Sequence, residues 1–185
     1  VYNNSLYNIA RNDDNVPILM AHDDGFDSHR YSRWYLDELS DNATARHPRH
    51  TFYMQVRSGK YQVPGNPDFY GYKGWDFVRA INIGMANYGR ADVSEGVRNQ
   101  YIGEARLFRG WFYADKVSKF GDVPYIEKEL NTESEELFAE RMPRVEAMDK
   151  IFEDLEFAAT NLPDNWGDGN APGRLNRWCA LLVQA

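Results

Sequence analysis

Hydrophobic residues recur every three or four positions along several stretches of this chain, which is the spacing of an amphipathic α-helix. Alternation of hydrophobic and polar residues, which would indicate β-strands, is sparse. The chain is therefore predicted to be mainly all-α. The predicted helices cover 72–87, 92–120, 143–162 and the stretch that begins near 173, with a weaker helix over 28–39.

The longest predicted helix carries hydrophobic residues on two faces, and such a helix packs between neighbours rather than on a surface. At its start, Asp92 with Glu95 three residues later resembles a capping box. At its end, Gly121 favours the backbone turn that stops a helix, and Pro124 prevents the helix from resuming. The two faces comprise Tyr101, Ala105, Phe108 and Phe112, and Leu107, Trp111, Ala114 and Val117.

The third predicted helix has Pro143 at its first position and ends before Pro163. Long connections over 40–68, 131–141 and 164–172 separate the helices, and loops of this length in a helical protein are usually functional or disordered. Successive helix pairs predict a tetratricopeptide-like array with inserted loops, although no repeat of about 34 residues with the usual signature is present. The hydrophobic face of the third helix, which Ile151 and Ala158 widen, comprises Val145, Met148, Phe152, Leu155, Ala159 and Leu162.

Composition narrows the classes of partner. The formal net charge of −7 argues against nucleic acid and against an anionic membrane surface, because both call for basic patches. The single cysteine, Cys179, excludes an internal disulfide, and its hydrophobic neighbours predict a buried, unreactive thiol. No hydrophobic run approaches the roughly 20 residues of a membrane-spanning helix.

The sequence offers little for catalysis, because the common nucleophile, zinc-protease, dinucleotide and phosphate-loop motifs are all absent. The carboxylates of Glu104 and Asp115 are predicted to be solvated on helix surfaces. We therefore expect no enzymatic activity and no cofactor. One oxygen-rich stretch has a metal-site composition but not an EF-hand spacing, and a polar turn explains it better: His22, Asp23, Asp24, Asp27 and His29.

Aromatic residues are concentrated between Phe52 and Phe77, where glycines and prolines break the chain. Such rings cannot all pack into one regular element, so some are predicted to be displayed. Sugar rings pack their C–H faces on aromatic side chains, while their hydroxyls bond to Asp, Asn, Arg and His. The alternative is that these aromatic residues only pin a long loop to the helices.

The segment 103–124, GEARLFRGWFYADKVSKFGDVP, is similar to the hallmark segment of the SusD/RagB-like family, roughly Gly-Glu-Ala-Arg-x-x-Arg-Ala-x-x-Tyr followed by Phe-Gly-Asp-Val-Pro. It departs from that pattern at Gly110, where the family has Ala, and at Val117, where it often has Leu. The flanking segments WDFVRAINIGMANY, IFEDLEFAATNLP and GRLNRWCALLVQA resemble the neighbouring family helices in the same order. The resemblance covers 69–185 well and 1–68 poorly.

This resemblance implies an incomplete SusD-like α fold, in which 1–185 is the N-terminal part of one domain, loop-rich over 1–68 and helical over 69–185. It also implies a lipoprotein on the outer surface of the bacterial outer membrane, anchored by a lipid-bearing cysteine before Val1. Such proteins bind glycans, or in a few cases oligopeptides, and pair with a SusC-like TonB-dependent transporter. They are binding proteins and not enzymes. Their hallmark segment is expected to be scaffold, with much of the ligand surface lying after Ala185.

Within this chain, the candidate ligand contacts lie in the long loop before the Trp75 helix, and they rest on that loop's composition. Three alternatives remain open at the level of sequence: a peptide ligand within the same family, an intracellular tetratricopeptide-like scaffold, and a glycan hydrolase. No metal and no nucleic acid is expected at the site. The candidate contacts are Asp41, Arg46, Arg49, Tyr53 and Tyr61.

Overall fold

The structure is a computed structural model, and it describes residues 55, 57–62, 74–167 and 174–185. Among the described residues, the long helices lie within Gly74–Ala185, which belongs to one of the two compact units into which the chain divides. The all-α prediction is confirmed, since the described ranges contain no strand and only one isolated antiparallel bridge. The helices are α1 (Trp75–Asn87), α2 (Glu95–Phe120), α3 (Arg144–Asn161) and α4 (Arg177–Gln184), with 3-10 turns at Tyr88–Arg90 and Glu135–Phe138.

Helix α2 begins and ends with recognisable caps. Its N-cap is Ser94, whose hydroxyl oxygen accepts from the backbone N–H of Val97 at 3.4 Å, so the predicted cap at Asp92 was wrong. Ser94 fits because it adopts extended backbone angles one residue before the helix. The predicted end is confirmed, because Gly121 has φ 71° and its N–H donates to the carbonyl of Val117 at 3.0 Å.

Helix α2 packs between α1 and α3, as its two hydrophobic faces predict. On one side, the rings of Phe77 and Phe108 meet edge-to-face at 6.0 Å. On the other side, Gly110 lets Leu155 approach so closely that an added Cβ would lie 3.1 Å from the leucine side chain. Glycine at this position therefore admits a close helix contact. The buried core includes Val78, Ile81, Ala105, Leu107, Phe112, Tyr113, Ala147, Ile151, Ala158 and Leu162.

The buried face of α3 differs from the predicted hydrophobic stripe. Val145 is 69% exposed and Phe152 is also exposed, whereas Asp154 is buried. The covered face is centred on Ile151, Leu155 and Ala158, and it also carries Asp154, which pairs with Arg109 of α2. Pro143 is the N-cap rather than the first helical residue.

Helix α4 begins at a capping asparagine, since Asn176 Oδ1 accepts from the N–H of Cys179 at 3.3 Å. Its Ala180 packs into a core cluster with Leu107 and Leu162. Cys179 is only partly buried, and its Sγ lies 3.4 Å from Asn176 Oδ1. The thiol is thus more accessible than its hydrophobic neighbours predicted.

Candidate functional site

Most of the predicted ligand contacts cannot be placed. Asp41, Arg46, Arg49 and Tyr53 lie outside the described residues, as does the His/Asp stretch over 22–29. Tyr61 is described and is half-buried. These contacts therefore stay predictions.

The hallmark segment supplies a buried ion pair between α2 and α3. Arg109 Nε and Nη2 donate to the two carboxylate oxygens of Asp154 at 2.6 and 2.8 Å, and the side chains are only 4% and 3% exposed. Arg106 Nε lies 3.6 Å from the same carboxylate. Burial lowers the pKa of Arg109, but the hydrogen bonds to Asp154 and its negative charge together raise it by more. The net shift of the pKa is therefore upward, and the guanidinium stays charged.

Asn82 and Arg109 together hold the extended segment that follows α2. Asn82 Nδ2 donates to the carbonyls of Ile126 and Lys128 at 3.0 and 3.1 Å. Arg109 Nη1 donates to the carbonyl of Glu127 at 3.2 Å and to Asn82 Oδ1 at 3.1 Å. Buried side chains thus do for this segment what a neighbouring strand would do in a sheet.

Tyr113 adds a further contact to the same segment. Its hydroxyl oxygen accepts from the N–H of Ile126 at 2.7 Å, and its ring stacks on Tyr125 with centroids 4.0 Å apart. Burial raises the pKa of both tyrosines, so their hydroxyls stay protonated well above neutral pH. The segment is therefore fixed through both its backbone and its side chains.

Asp122 of the Phe-Gly-Asp-Val-Pro sequence caps α3 from a distance. The N-cap residue Pro143 makes no side-chain cap, and Asp122 Oδ1 instead accepts from the N–H of Arg144 at 2.8 Å. The antiparallel bridge between Val123 and Met142 brings the two segments together, with N–H to carbonyl distances of 2.8 and 3.3 Å. The hallmark aspartate thus joins the end of α2 to the start of α3.

Glu104 is buried rather than solvated, which corrects the sequence prediction. Both of its carboxylate oxygens accept from Arg174, through Nε and Nη2, at 2.8 Å. The Arg174 guanidinium lies 3.3 Å from the ring centroid of Trp166, whose Nε1 donates to the carbonyl of Leu175 at 2.9 Å. The partner lies 70 positions away, so the spacing of residues along the chain gives no signal for this contact.

Lys116 is a fully buried titratable residue on α2. Its ammonium group lies 4.7 Å from the ring centroid of Phe112. Burial lowers the pKa of Lys116 to about 8, while Asp115 raises it and Lys119 lowers it by smaller amounts. The lysine therefore titrates near the upper end of the physiological range.

The described residues contain neither a metal-site cluster nor a membrane-spanning helix. Among the described residues, no group of three or more His, Cys, Asp and Glu side chains has the arrangement of a metal site. No helix within 74–167 or 174–185 is long and hydrophobic enough to cross a bilayer. The charged groups of these helices that are buried instead hold the scaffold together.

Three comparisons relate the chain to known proteins. A SusD-like family model, described as starch-binding and associating with the outer membrane, matches residues 29–183. SusD-like protein P2 from Formosa agariphila is 30% identical over 87 residues, which is 47% of this chain and 17% of that protein. The crystal structure of a SusD-like protein from Bacteroides fragilis superposes with a TM-score of 0.55 at 27% identity, covering 63% of this chain and 21% of that one. The chain spans about a fifth of the length of these two relatives.

Proposed function

The chain belongs to the SusD-like family, and from this premise we propose that it is part of a protein that captures glycans at the bacterial cell surface. The observation that carries the proposal is the family match over residues 29–183, whose description combines starch binding with the outer membrane. The contacts of the hallmark segment support the assignment, because Arg109 and Asp122, which match the family pattern, join α2 and its end to α3.

Binding without catalysis is the function that the described charges favour. A glycosidase needs two carboxylates that face its substrate. Here the buried carboxylates of Glu104 and Asp154 are each engaged by an arginine through two hydrogen bonds. These groups hold helices together, so we infer that the protein is not an enzyme.

Within this chain, the ligand contacts are proposed to lie on the long loop before α1 rather than on the hallmark segment. Arg109, Asn82 and Tyr113 are buried and engaged by backbone groups of the segment after α2, so they cannot reach a ligand without unfolding that segment. The candidate contacts remain Asp41, Arg46, Arg49, Tyr53 and Tyr61.

We further propose that the captured glycan passes to a SusC-like TonB-dependent transporter, and that a lipid anchor holds the protein on the outer membrane. The family description supports the membrane association. The transporter and the anchor follow from the resemblance of the hallmark segment. An intact mass of the native protein that includes a lipidated N-terminal cysteine would support the anchor and exclude an intracellular scaffold.

The test is a binding screen of the full native protein against glycans and oligopeptides, with products analysed by chromatography. Glycan retention without product supports the proposal. Retention of peptides alone would replace the glycan by a peptide, and released sugar products would make the protein a hydrolase. The Tyr53→Ala/Tyr61→Ala variant should weaken glycan binding. Phe138→Ala, which truncates an 87% exposed ring outside the loop, should leave it unchanged.

A further inference from the structure

An exposed aromatic residue interrupts a face of α2 that the sequence predicted to be buried. Tyr101 is 48% exposed, although it follows the same spacing as the buried Ala105 and Phe108. Val97, one turn earlier, is 39% exposed. The ring centroid of Tyr101 lies 6.3 Å from that of Tyr88, which is half-buried at the end of α1. Two tyrosines and a valine therefore form a half-open hydrophobic surface.

This surface borders a cation that is fixed in position. The Arg174 guanidinium lies 5.7 Å from the ring centroid of Tyr101 and 3.3 Å from that of Trp166. Its two contacts with Glu104, each 2.8 Å long, restrain its orientation. A ligand that meets this surface therefore does not have to order the arginine, and less conformational entropy is lost on binding.

The second tyrosine is also fixed. Tyr88 folds back over α1, where Gly84 lacks the Cβ that would lie 3.0 Å from the tyrosine hydroxyl. Burial raises the pKa of Tyr88, with smaller contributions from Glu104 and Tyr101, so its hydroxyl remains protonated at neutral pH. A protonated phenol both donates and accepts hydrogen bonds, as sugar hydroxyls do.

We propose that this surface, the Tyr101 platform (Tyr88, Val97, Tyr101 and Arg174), is a glycan-binding subsite that takes the C–H face of a neutral pyranose ring. The inference rests on the proposed function and adds a subsite outside the predicted loop. A flat C–H surface fits an exposed aromatic ring bordered by aliphatic carbon. The charge of Arg174 is balanced by Glu104, so the platform favours a neutral sugar over an anion.

Two kinds of substitution test the platform without disturbing the core. Tyr101→Ala removes the ring, while Tyr101→Phe keeps it. Val97→Gln places a longer polar side chain beside the ring on the same exposed helix face. If a sugar covers on the order of 50 Å² of hydrophobic surface at about 25 cal/mol per Å², removing the ring weakens binding roughly tenfold. Val97→Gln should also weaken binding, and Tyr101→Phe should retain most of it.

The probes are malto-, cello-, xylo-, manno- and laminari-hexaose, titrated into the full native protein by calorimetry. A trifluoromethyl-phenylalanine at position 101 reports contact locally through its fluorine resonance. The same label at position 138 serves as the control, because Phe138 is exposed and lies in the 3-10 turn Glu135–Phe138 rather than on α2. Thermal unfolding of each variant checks that the fold is retained.

A shift of the fluorine resonance at 101 but not at 138, with weaker binding by Tyr101→Ala and Val97→Gln, is the expected result. If a hexaose binds while the label at 101 does not respond and Tyr101→Ala keeps full affinity, the platform is wrong and the proposed function stands. If none of the five sugars binds, the proposed function fails on these glycans and the platform is withdrawn with it.

Discussion

The buried pair of Arg109 and Asp154 gives the sharpest prediction about the scaffold. Arg109→Met removes the cation and keeps an unbranched side chain of similar length, whereas Asp154→Leu removes the anion and keeps its approximate size. Asp154→Leu leaves the 4% exposed Arg109 without its anion, whereas Arg109→Met leaves the 3% exposed Asp154 with only the more distant Arg106, whose Nε lies 3.6 Å away. The double variant replaces both charges by hydrophobic groups.

The expected magnitudes follow from burial. Asp154→Leu should cost about 3–5 kcal/mol of unfolding free energy, because the Arg109 charge is left desolvated and unpaired. Arg109→Met should incur only part of this cost, because Arg106 remains beside Asp154. Arg109→Met also leaves the carbonyl of Glu127 and Asn82 Oδ1 without their donor, at about 1–3 kcal/mol. Replacing both charges removes the cost of an unpaired buried charge, but the carbonyl of Glu127 and Asn82 Oδ1 still lack their donor. The double variant should therefore lose only about 1–3 kcal/mol, less than the single changes together.

The assay is urea unfolding of the full native protein, followed by far-UV circular dichroism, for the wild type, both single variants and the double variant. Glu153→Gln is the matched control, because Glu153 contacts Lys150 at 3.3 Å on the exposed side of the same helix. It should change the unfolding free energy by less than about 0.5 kcal/mol. Single variants that lose under 1 kcal/mol, or a double variant whose loss equals the sum of the two, would refute the reasoning.

Three further predictions concern single residues on the same helices. Because the pKa of Lys116 is lowered to about 8 from 10.5, the unfolded chain binds more protons than the folded one between these values, so stability should rise with pH there. From pH 7 to 9 the rise is about 1.3 kcal/mol, before the tyrosines of the unfolded chain ionise appreciably. Lys116→Met should abolish this rise in urea unfolding measured across that range, and a wild-type curve parallel to that of Lys116→Met would contradict the prediction. Asp122→Ala should lower the unfolding free energy by about 1 kcal/mol, because the cap of α3 is lost. Asp122→Asn keeps an oxygen that can accept from the N–H of Arg144, so it should lose less. Equal losses would mean that the negative charge at the start of α3 matters more than this hydrogen bond. Gly121→Ala should lower the melting temperature, because φ is 71° there and alanine disfavours that angle. Gly96→Ala in α2, where an added Cβ meets nothing, should stabilise the fold by roughly 0.5–1 kcal/mol. An unchanged melting temperature for Gly121→Ala would show that this backbone angle does not require glycine.

The helices and most of their ends could be predicted from the sequence because they depend on near neighbours. Periodicity places α2 between two partners, and Gly121 with Pro124 sets its end within a few residues. The N-cap was misplaced by two residues, since Asp92 and Ser94 are both suitable caps and only the backbone angles distinguish them.

The partners of the buried charges could not be predicted from spacing. Asp154 lies 45 positions from Arg109, and Arg174 lies 70 positions from Glu104. Surface exposure is the default for an isolated carboxylate, so Glu104 was predicted to be solvated. The same long-range contact explains why the charged Asp154 lies on the buried face of α3. The resemblance covers the segments that carry these residues, but it predicts neither ion pair.

The polar atoms of the hallmark segment bond within the chain itself, which argues against a direct role of this segment in ligand recognition. Arg109, Tyr113 and Asp122 each use their polar atoms on the chain itself: a helix partner, the segment after α2, and the start of α3. A residue whose polar groups are engaged and buried can specify a fold, but it cannot distinguish one sugar from another. The family signature therefore identifies the scaffold, and under the proposed function the choice of glycan depends on other residues, such as the candidate contacts before α1 and the Tyr101 platform. It follows that variants of the hallmark should change stability and affinity together, whereas variants of exposed residues such as Tyr101 should change affinity alone.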